Sequence, residues 1–428
     1  MSDSIEIQPV GPVKASIRPP GSKSITNRAL VCAALAKGRS TLRGLLDSED
    51  TRVMIKALRS LGIKVEADFE HATAKIEGCG GKIPAERADL DLRNSGTSMR
   101  FLAALVSLGH GRYRLDGNRR MRERPIQDLL DALNRLGVSA NSEVGNGCPP
   151  LAIHTEGLQG GVAVVRGDVS SQFLSGLLMA APYARTDIRI RVHGPLVSRP
   201  YVRMTLAVMR RFGVRVETSD DLLDFFYVPG GQCYAGREED IEPDASAASY
   251  FWAAAAITGG DVTVEGLSKA SLQGDVRFAG LLEKMGCEVR FGETSIRVIG
   301  RPLRGIDVDM NAISDTAQTL GAVALFAEGP TTLRGIAHVR HKETDRIAAL
   351  ATEIRKLGAE AIERDDGLRI IPRTLHGAEI ETYDDHRMAM SMALVGLKIP
   401  GVVIRDPRCT AKTYPAFFDD LKRLVAGK

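Results

Sequence analysis

The chain has 428 residues, more than one ordinary core holds, and at roughly 150 residues per domain it points to two or three domains. Hydrophobic residues at 44% and charged residues at 26% exclude a disordered or fibrous chain. A net charge of +4, spread rather than clustered, is too small for a nucleic-acid footprint and suits a site for small anions.

The polar start MSDSIEIQPV lacks the basic and apolar stretches of a signal peptide. No apolar run approaches the roughly 18 residues of a membrane helix. Cys32, Cys79, Cys148, Cys233, Cys287 and Cys409 lie far apart with no CxxC pair. They read as reduced thiols of a cytoplasmic chain, not as a disulfide framework or a zinc site.

Along the chain, one pattern recurs: an amphipathic helix ends in Gly and an alternating strand follows. It appears as IKALRSLGIKVEA, LLDALNRLGVSA, LAVMRRFGVRVET, LLEKMGCEV and EIRKLGAEA, with LKRLVAGK as a sixth copy. The glycines are Gly62, Gly137, Gly213, Gly286, Gly358 and Gly427, each where a helix end needs a left-handed residue. A second pattern runs in phase: an almost wholly apolar helix, a turn, then a strand closed by Gly44, Gly117, Gly194, Gly266, Gly335 or Pro407. Two markers with one period of about 70 residues define six repeats. A helix apolar all round is buried, so each repeat is an α+β layer of α/β type with a buried helix and a solvent-facing one.

The residues before the six buried helices are Gly21-Ser22-Lys23-Ser24, Asn94-Ser95-Gly96-Thr97, Ser170-Ser171-Gln172, Asp244-Ala245-Ser246, Ser314-Asp315 and Asp384-Asp385-His386-Arg387. Most are capping types, and capping accounts for Asp244 and Ser246. It does not account for Lys23, Gln172, His386 or Arg387. A cation in the first helical turn opposes the dipole, so Lys23 and Arg387 point to an anion held against free N–H groups. Arg119-Arg120-Met121-Arg122-Glu123-Arg124-Pro125 adds a cationic loop. Lys342-Glu343-Thr344-Asp345-Arg346 reads as the opening of a helix, with Lys342 and Arg346 four apart on one face. Glu343 is then either an acid or base held between cations or part of a solvated surface network. Lys412 follows the last strand. No GxGxxG, Walker-type, HExxH or GxSxG motif is present, and the few His residues have no metal spacing. No metal and no cofactor are expected.

The segments RPPGSKSITNRAL, LLDSEDT, RNSGTSMRFL, LDGNRRMRERPI, DVSSQFLSGLLMAAP, GPLVSRPYV, DASAASYFWAAAA, QGDVRFAG, HKETDRIAALATEIRKLGAE, YDDHRMAMSMAL and DPRCTAKTYPAFF come in an order that resembles the 5-enolpyruvylshikimate-3-phosphate synthase family of enolpyruvyl transferases. The resemblance covers essentially the whole chain. It implies two similar domains, each of three βαβαββ units with buried helices, an inside-out α/β barrel. Residues 1–20 and 242–428 are expected to form one discontinuous domain and 21–241 the other, hinged near 18–22 and 240–244. The implied reaction is enolpyruvyl transfer from phosphoenolpyruvate to shikimate 3-phosphate in chorismate and aromatic amino acid biosynthesis. The implied partners are these small molecules alone. Domain closure over them and a monomer are expected.

The resemblance assigns shikimate 3-phosphate to Lys23, Ser24, Arg28, Ser170, Ser171, Gln172, Ser198, Tyr201, Asp315, His338 and Lys342. Ser170, Ser171, Ser198 and Lys342 would take its phosphate and Arg28 its carboxylate. It assigns phosphoenolpyruvate to Lys23, Asn94, Gly96, Arg124, Gln172, Arg346, Arg387 and Lys412. Arg346 and Arg387 suit the carboxylate; Lys23, Arg124 and Lys412 suit the phosphate. The catalytic candidates are Lys23, Asp315, Glu343 and His386. Asp315 would orient the 5-hydroxyl, Glu343 would serve the methylene carbon assisted by His386, and Lys23 is a second candidate for proton traffic. The family's Gly at 96 goes with glyphosate sensitivity. His338 departs from the Asn that many members carry, which leaves its role open.

Two rivals remain. The sister enzyme acting on UDP-N-acetylglucosamine carries a reactive Cys in its cationic loop, where this chain has Arg119. A non-catalytic polyanion-binding protein would not need both Asp315 and Glu343.

Overall fold

The computed structural model describes residues 3–219 and 224–427. The chain divides into two compact units, Met1–Pro20 with Glu242–Lys428, and Gly21–Ile241.

In the Gly21–Ile241 unit, three buried helices, Lys23–Leu35, Gly96–Val106 and Ser171–Ala180, pack on one another. Every residue of Gly96–Val106 is buried; beyond the first-turn hydroxyls of Thr97 and Ser98, its one polar side chain is Arg100. Arg100 donates to the carbonyls of Gly96 and Pro125. Three four-stranded sheets surround the helices, in the orders Glu238–Asp240/Lys37–Arg43/Thr73–Cys79/Lys64–Asp68, Arg87–Asp91/His110–Asp116/Leu151–Glu156/Ser139–Ser142 and Gly161–Arg166/Ile188–His193/Phe225–Val228/Glu217–Thr218. In each, the first two strands are parallel and the rest antiparallel. The helices Glu49–Ser60, Gln127–Arg135 and Arg199–Arg211 are amphipathic; Leu129, Leu130, Ala132 and Leu133 of the second are buried.

The discontinuous unit repeats this plan with buried helices Ala245–Thr258, Ala317–Ala324 and His386–Gly396. One hydroxyl from each forms a buried chain, Ser249 Oγ to Thr319 Oγ1 at 3.2 Å and Thr319 Oγ1 to Ser391 Oγ at 3.3 Å. Two sheets have the four-strand order, Lys14–Ile17/Asp261–Glu265/Ser295–Ile299/Glu288–Phe291 and Asp307–Asp309/Thr331–Arg334/Gly367–Ile371/Glu360–Arg364. The third is Glu379–Ile380/Val402–Arg405/Ser4–Ile7. The chain's first strand thus pairs with its last, Ile5 opposite Ile404, and its second pairs in parallel with Asp261–Glu265.

The order strand, helix, strand, helix, strand, strand is that of the expected βαβαββ repeat. Among the described residues no sheet closes on itself; the strands form six separate sheets of at most four strands, so the barrel is not a continuous ladder. The six glycines after the amphipathic helices all take positive φ, from +70° to +117°. Of the glycines closing the second pattern, Gly117 is the exception: its φ is not left-handed, and a Cβ there would lie 2.2 Å from the Arg93 carbonyl oxygen. One local expectation is corrected. The helix after the Thr331–Arg334 strand starts at Arg346, not Lys342, because the Asp345 carboxylate caps Ile347 N–H and Ala348 N–H. Asp315 lies in a 3-10 turn, Asn311–Thr316, since Ile313 at φ −135° breaks the helical path ahead of Ala317.

Candidate functional site

In the Gly21–Ile241 unit, the candidate side chains collect at the N-termini of the buried helices. Ser22 caps the first, accepting from Ile25 N–H, so Lys23 stands in the first turn. Its ammonium lies 3.4 Å from the Asp50 carboxylate at the start of the Glu49–Ser60 helix. Arg28, one turn on, is 2% exposed. Its guanidinium donates to Thr205 Oγ1 at 2.7 Å, the Ser24 carbonyl at 2.9 Å, the Tyr201 carbonyl at 3.2 Å and Ser175 Oγ at 3.5 Å. All four acceptors are neutral, and burial lowers the Arg28 pKa to about 10. The guanidinium also lies over the Phe101 ring, 5.1 Å from its centroid.

At the second helix, a Cβ on Gly96 would lie 2.4 Å from Arg124 Nη2, so glycine lets the guanidinium rest against the helix start. Arg124 also donates to the Asn94 carbonyl at 3.3 Å and Asn94 Oδ1 at 3.4 Å. Arg124 is buried, whereas Arg119, Arg120 and Arg122 of the same loop pair with Glu123 or Asp116 nearer the surface. At the third helix, Ser170 accepts from Gln172 N–H, and Gln172 Nε2 donates to Thr97 Oγ1 at 3.1 Å. That bond brings the second and third helix starts together. Ser198, left-handed at φ +53°, is the N-cap residue of the Arg199–Arg211 helix, which carries Tyr201.

In the discontinuous unit the charges are denser. Asp315 Oδ1 lies 2.5 Å from Lys342 Nζ and 3.3 Å from Arg346 Nη1, and Oδ2 lies 2.8 Å from Arg387 Nη2. Burial works to raise the Asp315 carboxyl, but Arg387, Lys342 and Arg346 overcome it and hold it well below the ordinary carboxylate range. Burial also lowers the Lys342 ammonium. Glu343 lies between Arg346 Nη2 at 2.9 Å and Lys412 Nζ at 3.7 Å. Arg346 donates in addition to both oxygens of Asp385, at 2.7 and 3.2 Å. Burial would lower this guanidinium, but Asp385, Glu343 and Asp315 keep it firmly charged. Asp385 is the N-cap of the His386–Gly396 helix, accepting from Arg387 N–H, and His386 Nδ1 is 3.8 Å from it. Four cations, Lys342, Arg346, Arg387 and Lys412, thus converge on three carboxylates, Asp315, Glu343 and Asp385. His338 Nε2 is 2.9 Å from Ser314 Oγ, and burial, then Lys342, lowers its pKa from 6.5 to about 3. The ring is neutral at physiological pH.

Among the expected residues, contacts join Arg28 to Ser24 and Tyr201, Arg124 to Asn94, and Asp315 to Lys342, Arg346 and Arg387. Lys342 and Arg346 meet on Asp315 although they do not share a helix. The reading of Ser246 as a cap fails: Asp244 alone accepts from Ala247 N–H, and the Ser246 hydroxyl donates to the buried Asp275 carboxylate. Asp50, Asp385 and Thr97 were missed. Each sits in a first turn or at a cap, where an acidic or hydroxyl residue already has a local reason to be. Among the described residues no group of three or more His, Cys, Asp or Glu could hold a metal ion.

Left-handed, side-chain-bearing residues border this chemistry: Arg93 before Asn94, Ser198 itself, Tyr383 and Asp384 before Asp385, and Asp406 before the Pro407–Lys412 turn. Such positions cost about 1 to 3 kcal/mol each and persist where the surroundings over-determine them.

A family model described as EPSP synthase (3-phosphoshikimate 1-carboxyvinyltransferase) matches residues 7–421. The chain is 50% identical over 415 residues to a 3-phosphoshikimate 1-carboxyvinyltransferase of Trichormus variabilis, covering 97% of both chains. It is 48% identical over 442 residues to the chloroplastic 3-phosphoshikimate 1-carboxyvinyltransferase of Arabidopsis thaliana, covering 99% of this chain and 85% of the other. A solved EPSP synthase from Acinetobacter baumannii is similar with a TM-score of 0.81 at 27% identity, covering 98% of this chain and 97% of the other.

Proposed function

The chain belongs to the EPSP synthase family, and from that membership we propose how its side chains carry the family's reaction. The enzyme transfers the enolpyruvyl group of phosphoenolpyruvate to the 5-hydroxyl of shikimate 3-phosphate and releases phosphate, a step of the shikimate pathway.

Shikimate 3-phosphate is held by Ser170, Ser171, Ser198 and Lys342 at its phosphate and by Arg28 at its carboxylate. The neutral partners of buried Arg28 support that pairing. Ser24, Gln172, Tyr201 and His338 complete its contacts. A neutral His338 offers a hydrogen bond without a charge. Phosphoenolpyruvate is held by Arg346 and Arg387 at its carboxylate and by Lys23, Arg124 and Lys412 at its phosphate, with Asn94, Gly96 and Gln172 beside it.

The reaction is an addition followed by an elimination. The 5-hydroxyl oxygen bonds to C2 of phosphoenolpyruvate as its proton leaves and the methylene carbon gains a proton. The tetrahedral intermediate then loses a proton from that methyl carbon, the C2–O bond to phosphate breaks, and the enol double bond returns. Asp315, in the cage of three cations, carries this reading. A carboxylate held that low accepts a hydrogen bond well and a proton poorly. Asp315 therefore aligns the hydroxyl and takes its proton only as the C–O bond forms. Glu343, beside Arg346 and Lys412, exchanges the proton at the methylene carbon with His386 assisting, and Lys23 is the alternative. The surrounding cations stabilise the departing phosphate. The six free cysteines support a cytoplasmic location. The enzyme acts as a monomer, which sedimentation checks.

Replacing Glu343 by Gln tests the assignment in a phosphate-release assay. Turnover is expected to fall by about 10²- to 10⁴-fold, the usual worth of a general acid or base, with KM values nearly unchanged. Unchanged turnover would remove Glu343 from the mechanism.

A further inference from the structure

Glu353 is a carboxylate with no exposed surface, on the Arg346–Lys356 helix. It lies seven residues after Arg346, two turns along, so the two side chains leave the same helical face. Glu353 Oε1 accepts from the Tyr383 hydroxyl at 2.6 Å and from Lys356 Nζ at 2.9 Å; Oε2 accepts from Glu381 N–H at 3.2 Å. A buried carboxylate is tolerated only when donors meet its charge, and here two of the three donors come from residues 381–383.

That segment leads straight into the charged cluster. Tyr383 and Asp384 carry consecutive positive φ angles of +55° and +53°, and Asp385 follows. Asp385 N–H donates to the Thr382 carbonyl at 2.8 Å, while the Asp385 carboxylate holds Arg346 and caps Arg387. The helix and the segment are therefore fastened at two points. One is Arg346 on Asp385. The other is Glu353 on Tyr383 and Glu381, and it restrains the strained backbone that aims the first.

We propose that Glu353, through Tyr383, is a positioning residue for enolpyruvyl transfer, setting the backbone path that aims Arg346 and Arg387 at the phosphoenolpyruvate carboxylate. It touches no substrate, and the proposal rests on the assignment of those two arginines made above. A purely structural network would lower the melting temperature without favouring one substrate over the other.

Steady-state kinetics on the full-length Tyr383→Phe, Glu353→Gln and Arg346→Lys variants tests this. Tyr383→Phe removes one hydroxyl from a partly exposed ring, so it keeps the test open if Glu353→Gln fails to fold. Both are expected to raise KM for phosphoenolpyruvate about 3- to 10-fold while KM for shikimate 3-phosphate stays within about twofold. Arg346→Lys, which loses the bidentate fork, is expected to raise the same KM more. An unchanged KM in Arg346→Lys would overturn the carboxylate assignment itself. A raised KM there, with unchanged values or parallel rises for both substrates in the other two variants, would overturn the positioning role alone.

Discussion

Arg124 owes its place to the side chain that Gly96 lacks. The 2.4 Å approach to a built Cβ falls on the far end of a flexible side chain, so Gly96→Ala displaces the guanidinium rather than the helix. The variant is expected to keep its melting temperature while KM for phosphoenolpyruvate and the glyphosate concentration needed for inhibition both rise about tenfold, equivalent to roughly 1.4 kcal/mol. His338 makes a prediction of the opposite kind. Its folded pKa of about 3 lies below the unfolded 6.5, so between those values the unfolded chain binds more protons. The stability its neutral ring contributes is complete above pH 6.5 and is lost as pH falls toward 3. Thermal scans should show a shallower loss of stability in this window for His338→Asn than for the parent. Equal slopes would deny the shift. The misplaced cations Lys23 and Arg387 were legible because they violate the helix dipole. Asp50 and Asp385 were not, because an acidic residue in a first turn or at a cap breaks no local rule and its distant partner leaves no mark in the spacing.

At the scale of elements, the repeat was open to reading wherever a helix end needs a residue of one kind. The glycines after the amphipathic helices fix six boundaries, and their positive φ angles give the reason. Helix starts were harder. A spacing of four between Lys342 and Arg346 says that the two could share a face but not that a helix covers both. The Asp345 cap decides the start. Its carboxylate takes two amide N–H groups and also pairs with Arg340 at 2.7 Å. Asp345→Ala should therefore cost about 1 to 2 kcal/mol. Calorimetry should show the melting temperature lowered by about 2 to 8 °C, at roughly 2 to 4 °C per kcal/mol for a unit of this size. No shift would mean the cap does not hold this helix. The 3-10 turn carrying Asp315 had no signal at all, since Ile313 is an ordinary apolar residue whose backbone angle is set by its surroundings.

For the whole molecule, a net charge of +4 conceals the concentration of cations around Asp315 and Glu343 and at the helix starts bearing Lys23, Arg28 and Arg124. Substrates that carry phosphate and carboxylate are drawn to such a surface through solvent, and salt screens that attraction over about 10 Å at 0.1 M. Raising ionic strength should lower kcat/KM for phosphoenolpyruvate severalfold and kcat much less; a flat response would show that local pairing alone governs binding. The sixfold organisation was legible because the period recurs along the whole chain. The pairing of the first strand with the last, Ile5 opposite Ile404, was not legible, because strand partners far apart in sequence leave no periodic trace.

The acceptor of the enolpyruvyl group sets this enzyme apart from the transferase that acts on UDP-N-acetylglucosamine. Phosphate release from phosphoenolpyruvate, measured in parallel with shikimate 3-phosphate and with UDP-N-acetylglucosamine, tests the acceptor most directly. One phosphate for each 5-enolpyruvylshikimate 3-phosphate formed, and none with the nucleotide sugar, is the expected result. Release with UDP-N-acetylglucosamine and none with shikimate 3-phosphate would contradict it.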